Sequence, residues 1–171
     1  VPKNRLIELT KGSLTLGSLI VEPFSVSHDA ADPIGINVFA GNDKATIVTD
    51  TGVISDDILR RIDDTTLLVL EANYDPHMLR FGPYQPFLKQ RVASDEGHLS
   101  NEMAAQALLM MKRPDFMQVI LAHRSENNNN SVLVTQTIGK MLVDGGVRIG
   151  PEMKLQHGQP NEIVSIQSVK R

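Results

Sequence analysis

The chain has 171 residues, of which 41% are hydrophobic and 22% charged, and its formal net charge is -3. This length suits one domain with a buried core, and the composition excludes a disordered, collagen-like or coiled-coil chain. The chain has no cysteine, which excludes a disulfide scaffold, a thiolate metal site and a cysteine nucleophile. Any metal must therefore be bound by His, Asp or Glu. The negative net charge restricts nucleic-acid contact to a local patch, and an aromatic content of 4% without Trp disfavours a base-stacking platform.

The distribution of apolar residues predicts a cytoplasmic, soluble domain. The longest apolar runs lie around residues 66–70 and 119–122, and both are far shorter than the roughly 20 residues that a membrane span needs. Residues 1–10 are charged and contain no apolar stretch of the signal-peptide kind. We therefore expect no membrane association.

The amino-terminal half of the chain predicts mostly strands. Two short strands are expected within residues 14–27, around a Gly-Ser turn, and apolar runs over residues 45–49 and 66–70 predict two buried strands. The one helix predicted in this half is Asp56–Ile62, because Ser55 can cap it and two Asp residues suit its first turn.

The carboxyl-terminal half begins with a long excursion and then alternates between helices and strands. Residues 73–96 contain three prolines and predict at most one short helix, near residues 87–92; loops of this length in compact domains are usually functional. The elements predicted after it are a helix over residues 100–112, a strand over 119–122, a helix over 131–143 and a last strand over 162–169. This order predicts an α/β domain in which helices cover a sheet.

Three polar residues directly follow predicted strands, namely His28, Asp50 and His123. Because ligands gather at the carboxyl ends of strands in α/β sheets, these side chains are candidates for one site. Two imidazoles and a carboxylate suit a divalent ion such as zinc or manganese, and the carboxylate can bridge two ions. Each residue alone also has an ordinary structural explanation, such as the turn that a Thr-Asp-Thr-Gly sequence favours.

Two further residues extend this candidate site. His98 comes just before the helix that Ser100 can cap, where backbone N–H groups favour an anion such as phosphate. Glu71 follows the strand predicted over residues 66–70. A carboxylate at a strand end can fix the tautomer of a histidine by accepting its second N–H.

Six motifs, in their order along the chain, resemble the second half of the metallo-β-lactamase superfamily. They are residues 24–30 (FSVSHDA), 48–52 (VTDTG), 70–73 (LEAN), 89–91 (KQR), 94–102 (SDEGHLSNE) and 121–128 (LAHRSENN). Within that superfamily they are most similar to the YycJ/WalJ-type metallohydrolases, relatives of the tRNA 3′-processing ribonucleases. The resemblance spans residues 14–130. It implies half of an αββα sandwich, an α/β fold of mixed sheets with helices on the outer faces.

The resemblance also implies a role for each candidate residue. His28, Asp50 and His123 match metal ligands, with Asp50 bridging two divalent ions, Zn²⁺ or Mn²⁺, that hold a hydroxide nucleophile. His98 with Glu71 matches the His–Glu pair that acts near the scissile phosphate, so these two residues and Asp50 are the predicted catalytic residues. The residues predicted to bind the substrate are Lys89, Arg91, Ser100 and Asn101.

One family motif is missing from the chain. The sequence His-x-His-x-Asp-His, which supplies the larger part of the family's ligand set, does not occur. We therefore expect residues 1–171 to be the C-terminal half of a single metallo-β-lactamase-like domain, incomplete without an N-terminal half. That half would come from the same gene or from a separate chain; a degenerate domain is the alternative.

The predicted function is that of a metal-dependent hydrolase, a phosphodiesterase or nuclease that is inactive as the isolated chain. The alternatives are a thioester or lactone hydrolase of the same fold, and a non-catalytic interaction module if the metal site is incomplete. The pairing of His98 with Glu71 favours phosphodiesters over thioesters. Expected partners are nucleic acid or another phosphodiester and the missing half of the domain; a homodimer is left open.

Overall fold

The computed structural model describes residue 9, residues 12–159 and residues 162–166. Over these residues the chain forms one seven-stranded sheet and five helices. The strands are β1 Leu14–Leu16, β2 Leu19–Ser25, β3 Ile34–Ala40, β4 Asp43–Val48, β5 Leu67–Glu71, β6 Met117–Ala122 and β7 Met153–His157. The helices are α1 Asp56–Ile62, α2 Pro76–Phe81, α3 Pro86–Val92, α4 Asn101–Met110 and α5 Ser131–Asp144.

The strands lie side by side in chain order, and the sheet changes character at β4. Strands β1 to β4 pair antiparallel, whereas β4 to β7 pair parallel. The parallel strands are connected through helices. Because such crossovers are right-handed, a sheet that always grows in one direction receives all of these helices on the same face.

The hydrophobic core lies between that face and the helices. Leu68, Leu70 and Val119 of the sheet are completely buried and belong to one cluster with Ile62 of α1 and Ile138 of α5. Each such side chain contributes about 1.5–3 kcal/mol on burial. The core therefore fixes the parallel strands, and with them the edge of the sheet where their carboxyl ends meet.

The opposite face of the sheet is apolar but open. Ile34 is 43% exposed and Ile47 is 42% exposed, although both lie within strands. The two neighbours of Ile47 in the sequence, Thr46 and Val48, point to the helix side and are buried. An exposed apolar sheet face of this kind typically marks an interaction surface.

The predicted α/β class is confirmed, and so are most of the predicted elements. The strand predicted over residues 162–169 is wrong for residues 162–166, which form no strand; residues 167–169 lie outside the described residues. The last strand is β7, whose Met153 and Leu155 pair with Met117 and Val119 of β6. The short sequence of β7 forms a strand through this pairing, whereas residues 162–166 are more apolar but are not paired with a strand.

Besides β7, two elements were not predicted. Strand β3 was missed because Gly35 and Asn37 occupy two of its buried positions. The alternation of apolar and polar residues that marks a strand is therefore not visible in its sequence. Helix α2 was missed although Asp75 caps it and Pro76 stands at its first position, which together are a helix start signal. In the sequence alone, the prolines of residues 73–96 instead indicate irregular structure. Among the described residues, none of the helices combines the length and hydrophobicity that crossing a membrane requires.

Candidate metal centre

The carboxyl ends of four strands meet at one edge of the sheet and carry the candidate site residues. His28 follows β2, Asp50 follows β4, Glu71 ends β5, and His123 follows β6. Strand β2 runs in the same direction as β4, because two successive antiparallel pairings separate them. The topology therefore brings together residues that lie far apart in the sequence.

Two of these residues have an unusual backbone conformation. Asp50 has φ 57° and His123 has φ 51°, both in the left-handed region. This region costs a non-glycine residue about 1–2 kcal/mol. The surroundings hold the His123 turn, since the Asn73 Nδ2 donates a hydrogen bond to its carbonyl at 2.9 Å. Such strain is concentrated at functional sites in proteins.

The hydrogen bonds of the three histidines fix which ring nitrogen is free. The Nδ1 of His28 donates to the Gly97 carbonyl at 3.0 Å. The Nδ1 atoms of His98 and His123 donate to the Glu71 Oε1 at 2.7 and 2.8 Å. When Nδ1 carries the proton, the neutral ring offers Nε2 as its lone-pair donor. All three rings are thus set to present Nε2.

The carboxylate of Asp50 lies between two of these nitrogens. Its Oδ1 is 4.0 Å from the His28 Nε2 and 3.6 Å from the His123 Nε2. The His98 ring lies between the same two histidines, with centroids 5.1 Å from His28 and 5.2 Å from His123. Two ligands of one zinc ion, each about 2.0–2.2 Å from it, stand roughly 3–4 Å apart. The chemistry and spacing of this donor set therefore fit a divalent metal.

Glu71 is buried and serves two histidines rather than the one predicted. Its Oε1 accepts from both His98 and His123, and its Oε2 accepts from the Thr51 N–H at 3.1 Å. Burial acts to raise the pKa of Glu71, but the hydrogen bonds from His123 and His98 lower it below its ordinary value. The bond to Glu71 in turn raises the pKa of His123, against the effect of burial. Glu71 thus acts as an ionised carboxylate that orients both rings.

Two clusters of potential ligands occur among the described residues, and they share one histidine. One consists of His28, Asp50 and His98, and the other of Glu71, His98 and His123, with ligand atoms within 4.8 Å of one another in each. In the second cluster both carboxylate oxygens already accept N–H groups. That cluster is therefore an orienting network, and a metal fits at Asp50. The structure groups His98 rather than the predicted His123 with His28 and Asp50, and His123 reaches the same centre through Asp50, whose Oδ1 is 3.6 Å from its Nε2.

Arg91 and Lys89, both predicted to bind substrate, have protein partners. The Arg91 guanidinium pairs with Asp29 through Nε and through Nη2, the latter 2.9 Å from Oδ1. Asp29 follows His28, and its Oδ1 lies 3.5 Å from the His28 Nε2. The Lys89 ammonium donates to the Arg80 carbonyl at 2.8 Å. Arg91 is therefore coupled to the candidate metal centre through Asp29.

The other two predicted substrate-binding residues are turned inward. The Ser100 side chain accepts from the Met103 N–H at 3.1 Å and caps α4, as its position before the helix predicts. Asn101 is completely buried, and its side chain exchanges hydrogen bonds with Asn129. This burial argues against direct substrate contact by Asn101, whose amide is engaged in holding α4 against the loop before α5.

Several residues that support the site were missed in the sequence. Gly97 provides the carbonyl for His28, and a Cβ at this position would lie 2.2 Å from the Arg91 carbonyl oxygen. The Asn129 amide donates to the Ala72 carbonyl at 3.0 Å and the Asn73 carbonyl at 3.2 Å. Asn130, in the same run of asparagines, caps α5 through the Leu133 N–H.

Comparison with known proteins identifies the family of this chain. The family model "Beta-lactamase superfamily domain" matches residues 2–123. Exodeoxyribonuclease YycJ from Bacillus anthracis is 36% identical over 155 residues, which are 91% of this chain and 59% of that protein. Exodeoxyribonuclease WalJ from Streptococcus pneumoniae strain D39 is 33% identical over 147 residues, 86% of this chain and 55% of that protein. The chain thus spans less than two thirds of the length of these relatives.

A solved structure shows the shared fold. The metallo-β-lactamase fold protein YhfI from Bacillus subtilis superposes with a TM-score of 0.60 over 87% of this chain and 50% of its own length, at 12% identity. At that identity the likeness speaks for the fold alone. Together with the family match over residues 2–123, it shows that this chain belongs to the metallo-β-lactamase superfamily, in which it is similar to proteins of the YycJ/WalJ type.

Proposed function

We propose that this chain is part of a metal-dependent phosphodiesterase that hydrolyses nucleic acid. The observation that carries the proposal is the convergence of His28, Asp50 and His123 beside the pair of His98 and Glu71. The names of the relatives, both exodeoxyribonucleases, support DNA as the substrate.

In this proposal His28, Asp50 and His123 would hold divalent metal, Zn²⁺ or Mn²⁺, with the Asp50 carboxylate between the two histidine nitrogens. A bound divalent ion would lower the pKa of water toward about 7 and polarise a phosphoryl oxygen. The hydrogen bonds of His28 to Gly97 and of His123 to Glu71 keep Nε2 of each ring available. The protein therefore supplies oriented donors before any ion arrives.

His98 is proposed to act on the substrate rather than on the metal. Glu71 holds its Nδ1–H, so that Nε2 faces the region between His28 and His123. With a proton on Nε2 as well, His98 would donate that proton to the leaving oxygen, while Glu71 balances the charge of the ring. General acid catalysis of this kind typically contributes about 10²–10⁴-fold to the rate.

We further propose that these residues form the C-terminal half of one catalytic domain. The open face exposes Ile34 and Ile47, and an exposed apolar sheet face is typical of an interaction surface. Three protein donors also fall short of what two metal ions need. Both observations are met if an N-terminal half packs on the open face and brings further ligands to the same edge of the sheet.

Metal content and turnover of variants in the full-length protein test the catalytic proposal. We expect His28→Ala and Asp50→Asn to lose bound metal together with hydrolysis of bis(p-nitrophenyl) phosphate. His98→Ala should keep the metal and lose roughly 10²–10⁴-fold in rate. Met110→Ala, an exposed residue at the end of α4, is the control for both measurements.

The outcomes separate the alternatives. Loss of metal in His98→Ala would make that residue a ligand rather than an acid, and unchanged turnover would contradict its role altogether. Hydrolysis of a thioester but not of the phosphodiester would favour the second hydrolase class. A protein that binds no metal would contradict the proposed function.

A further inference from the structure

We propose that the segment of α2 and α3, residues 76–93, is a base-stacking platform for unpaired nucleotides of a DNA strand that enters the candidate metal centre. We call residues 76–93 the stacking segment. The proposal rests on the proposed function and deepens it, because it names the form of the substrate and the surface that receives it.

Two phenylalanine rings stand out of the stacking segment into solvent. Phe81 is 67% exposed and Phe87 is 71% exposed, whereas Phe24 of the core is 5% exposed. Neither ring serves the small cluster of Tyr74, Leu79 and Val92 that holds the segment together. Exposed aromatic rings on a well-packed support offer π-faces on which bases of any sequence stack.

The surroundings of Phe81 suit a nucleobase. The His77 ring lies with its centroid 4.6 Å from that of Phe81, and the Arg80 guanidinium carbon lies 5.3 Å from the Phe81 centroid. Aromatic rings and arginine planes are the groups on which unstacked bases are held in proteins. This end of α2 therefore combines both kinds of stacking partner.

The charge of the stacking segment is complementary to a phosphate backbone. It carries Arg80, Lys89 and Arg91 and contains no Asp or Glu, although the whole chain has a net charge of -3. A local cluster of cations is the electrostatic footprint of a phosphate-binding surface. Arg91 is already paired with Asp29, whereas Arg80 lies over the Phe81 ring and Lys89 bonds a backbone carbonyl, so these two keep their charge for phosphate. This charge favours nucleic acid over an apolar protein partner as the occupant.

The stacking segment is continuous with the candidate metal centre. It begins five residues after Glu71 and ends five residues before His98. Phe87 and Arg91 are four residues apart in α3, so they share one face of the helix and lie about 6 Å apart along its axis. The Arg91 guanidinium pairs with Asp29, the neighbour of His28. A strand stacked on Phe87 would thus lie on the helix whose Arg91 connects it, through Asp29, to the candidate metal centre.

The support for these rings is formed before any ligand binds. The Lys89 ammonium donates to the Arg80 carbonyl at 2.8 Å and ties α3 to the end of α2. Asp75 caps α2 through the Met78 N–H at 2.8 Å. Low aromatic content disfavours a stacking platform on composition alone, but a platform depends on where the few rings stand, and here two of them share one exposed segment.

Binding to strands with and without bases tests the proposal. The full-length protein, in a metal-chelating buffer, is titrated into fluorescent oligothymidylate and into an abasic strand of the same length, and anisotropy is recorded. We expect the protein to bind the thymidylate strand more tightly. Each lost stacking contact should weaken binding about five- to 150-fold. Phe81→Leu with Phe87→Leu, which keeps apolar area but removes the π-faces, should abolish most of the preference for bases.

Met110→Leu is the matched control, since Met110 is 68% exposed and lies outside the stacking segment; it should keep the full preference. Circular dichroism checks that the leucine variants fold. Equal affinity of the unmodified protein for both strands would overturn the proposal, and so would a base preference that survives in the double leucine variant.

The hydrolysis of bis(p-nitrophenyl) phosphate by the unmodified protein keeps the two proposals apart. Hydrolysis without any base preference overturns the stacking platform alone. Base preference without hydrolysis in the presence of Zn²⁺ or Mn²⁺ overturns the proposed catalytic function and leaves the platform supported.

Discussion

At the scale of single residues, one carboxylate organises the site. Glu71 is completely buried, and its two oxygens accept from His98, His123 and the Thr51 N–H. A buried carboxylate with three charge-assisted or backbone donors cannot be replaced without leaving donors unpaired. The position of two imidazoles therefore depends on a residue that we do not expect to touch metal or substrate.

The change of Glu71 to Gln tests this dependence. Gln keeps the shape of the side chain, but its amide nitrogen donates where a carboxylate oxygen accepts, so one of the three donors loses its partner. We expect metal affinity of the full-length protein to fall about 10–100-fold, since groups that orient ligands contribute on this scale. Competitive titration with a metal chelator measures it, with exposed Glu96→Gln as the control. Equal affinity in the two variants would contradict the orienting role.

At the scale of elements, the segment between α3 and α4 packs so closely on the end of α3 that Gly97 has no space for a side chain. Gly97 is buried; a Cβ there would lie 2.2 Å from the Arg91 oxygen and 2.4 Å from the Val92 oxygen. Its carbonyl also holds the His28 ring. The atoms that a new Cβ would meet belong to the backbone, which cannot change rotamer as a side chain can. The segment that contains Gly97 would therefore have to move.

Gly97→Ala should therefore affect folding and metal binding together. We expect the free energy of unfolding, from urea denaturation of the full-length protein, to fall by about 1–3 kcal/mol, with weaker metal binding through His28. Gly139→Ala is the matched control, because its nearest neighbour is the Ile149 Cδ1 at 3.9 Å. In mid-helix this change should stabilise by about 0.5–1 kcal/mol. A Gly97→Ala variant as stable as the parent would contradict the close approach.

At the scale of the whole molecule, the helices lie on one face of the sheet and leave the other face exposed. The helices cover one face, and Ile34 and Ile47 stay exposed on the opposite one. A complete αββα domain would bury these residues against a second sheet. The proposed N-terminal half can therefore be tested through the exposed face itself.

Ile47→Lys in the full-length protein makes this test. If the face is covered there, an unpaired charge is buried, and the unfolding free energy should fall by about 3 kcal/mol or more. The control is Val143→Lys on α5, which is 59% exposed and should change stability by less than about 0.5 kcal/mol. Equal, small effects of both changes would contradict a covering half.

The sequence by itself determined the features that depend on residues close together in the chain, namely helix caps, helix positions and strand ends. The Ser55 cap and Asp56–Ile62, the Ser100 cap of α4, and the identity of His28, Asp50 and His123 as strand-end residues all follow from local patterns. Caps and apolar periodicity act over a few residues, and short stretches of sequence therefore reveal them.

Only the tertiary structure decided what depends on distant partners. The sharing of Glu71 with His123 spans 52 residues, the pairing of Arg91 with Asp29 spans 62, and the bond from His28 to Gly97 spans 69. Strand β7 likewise became a strand because β6 lies beside it. Hydrogen bonds across such separations are set by sheet order and crossover handedness, which no local pattern in the sequence encodes.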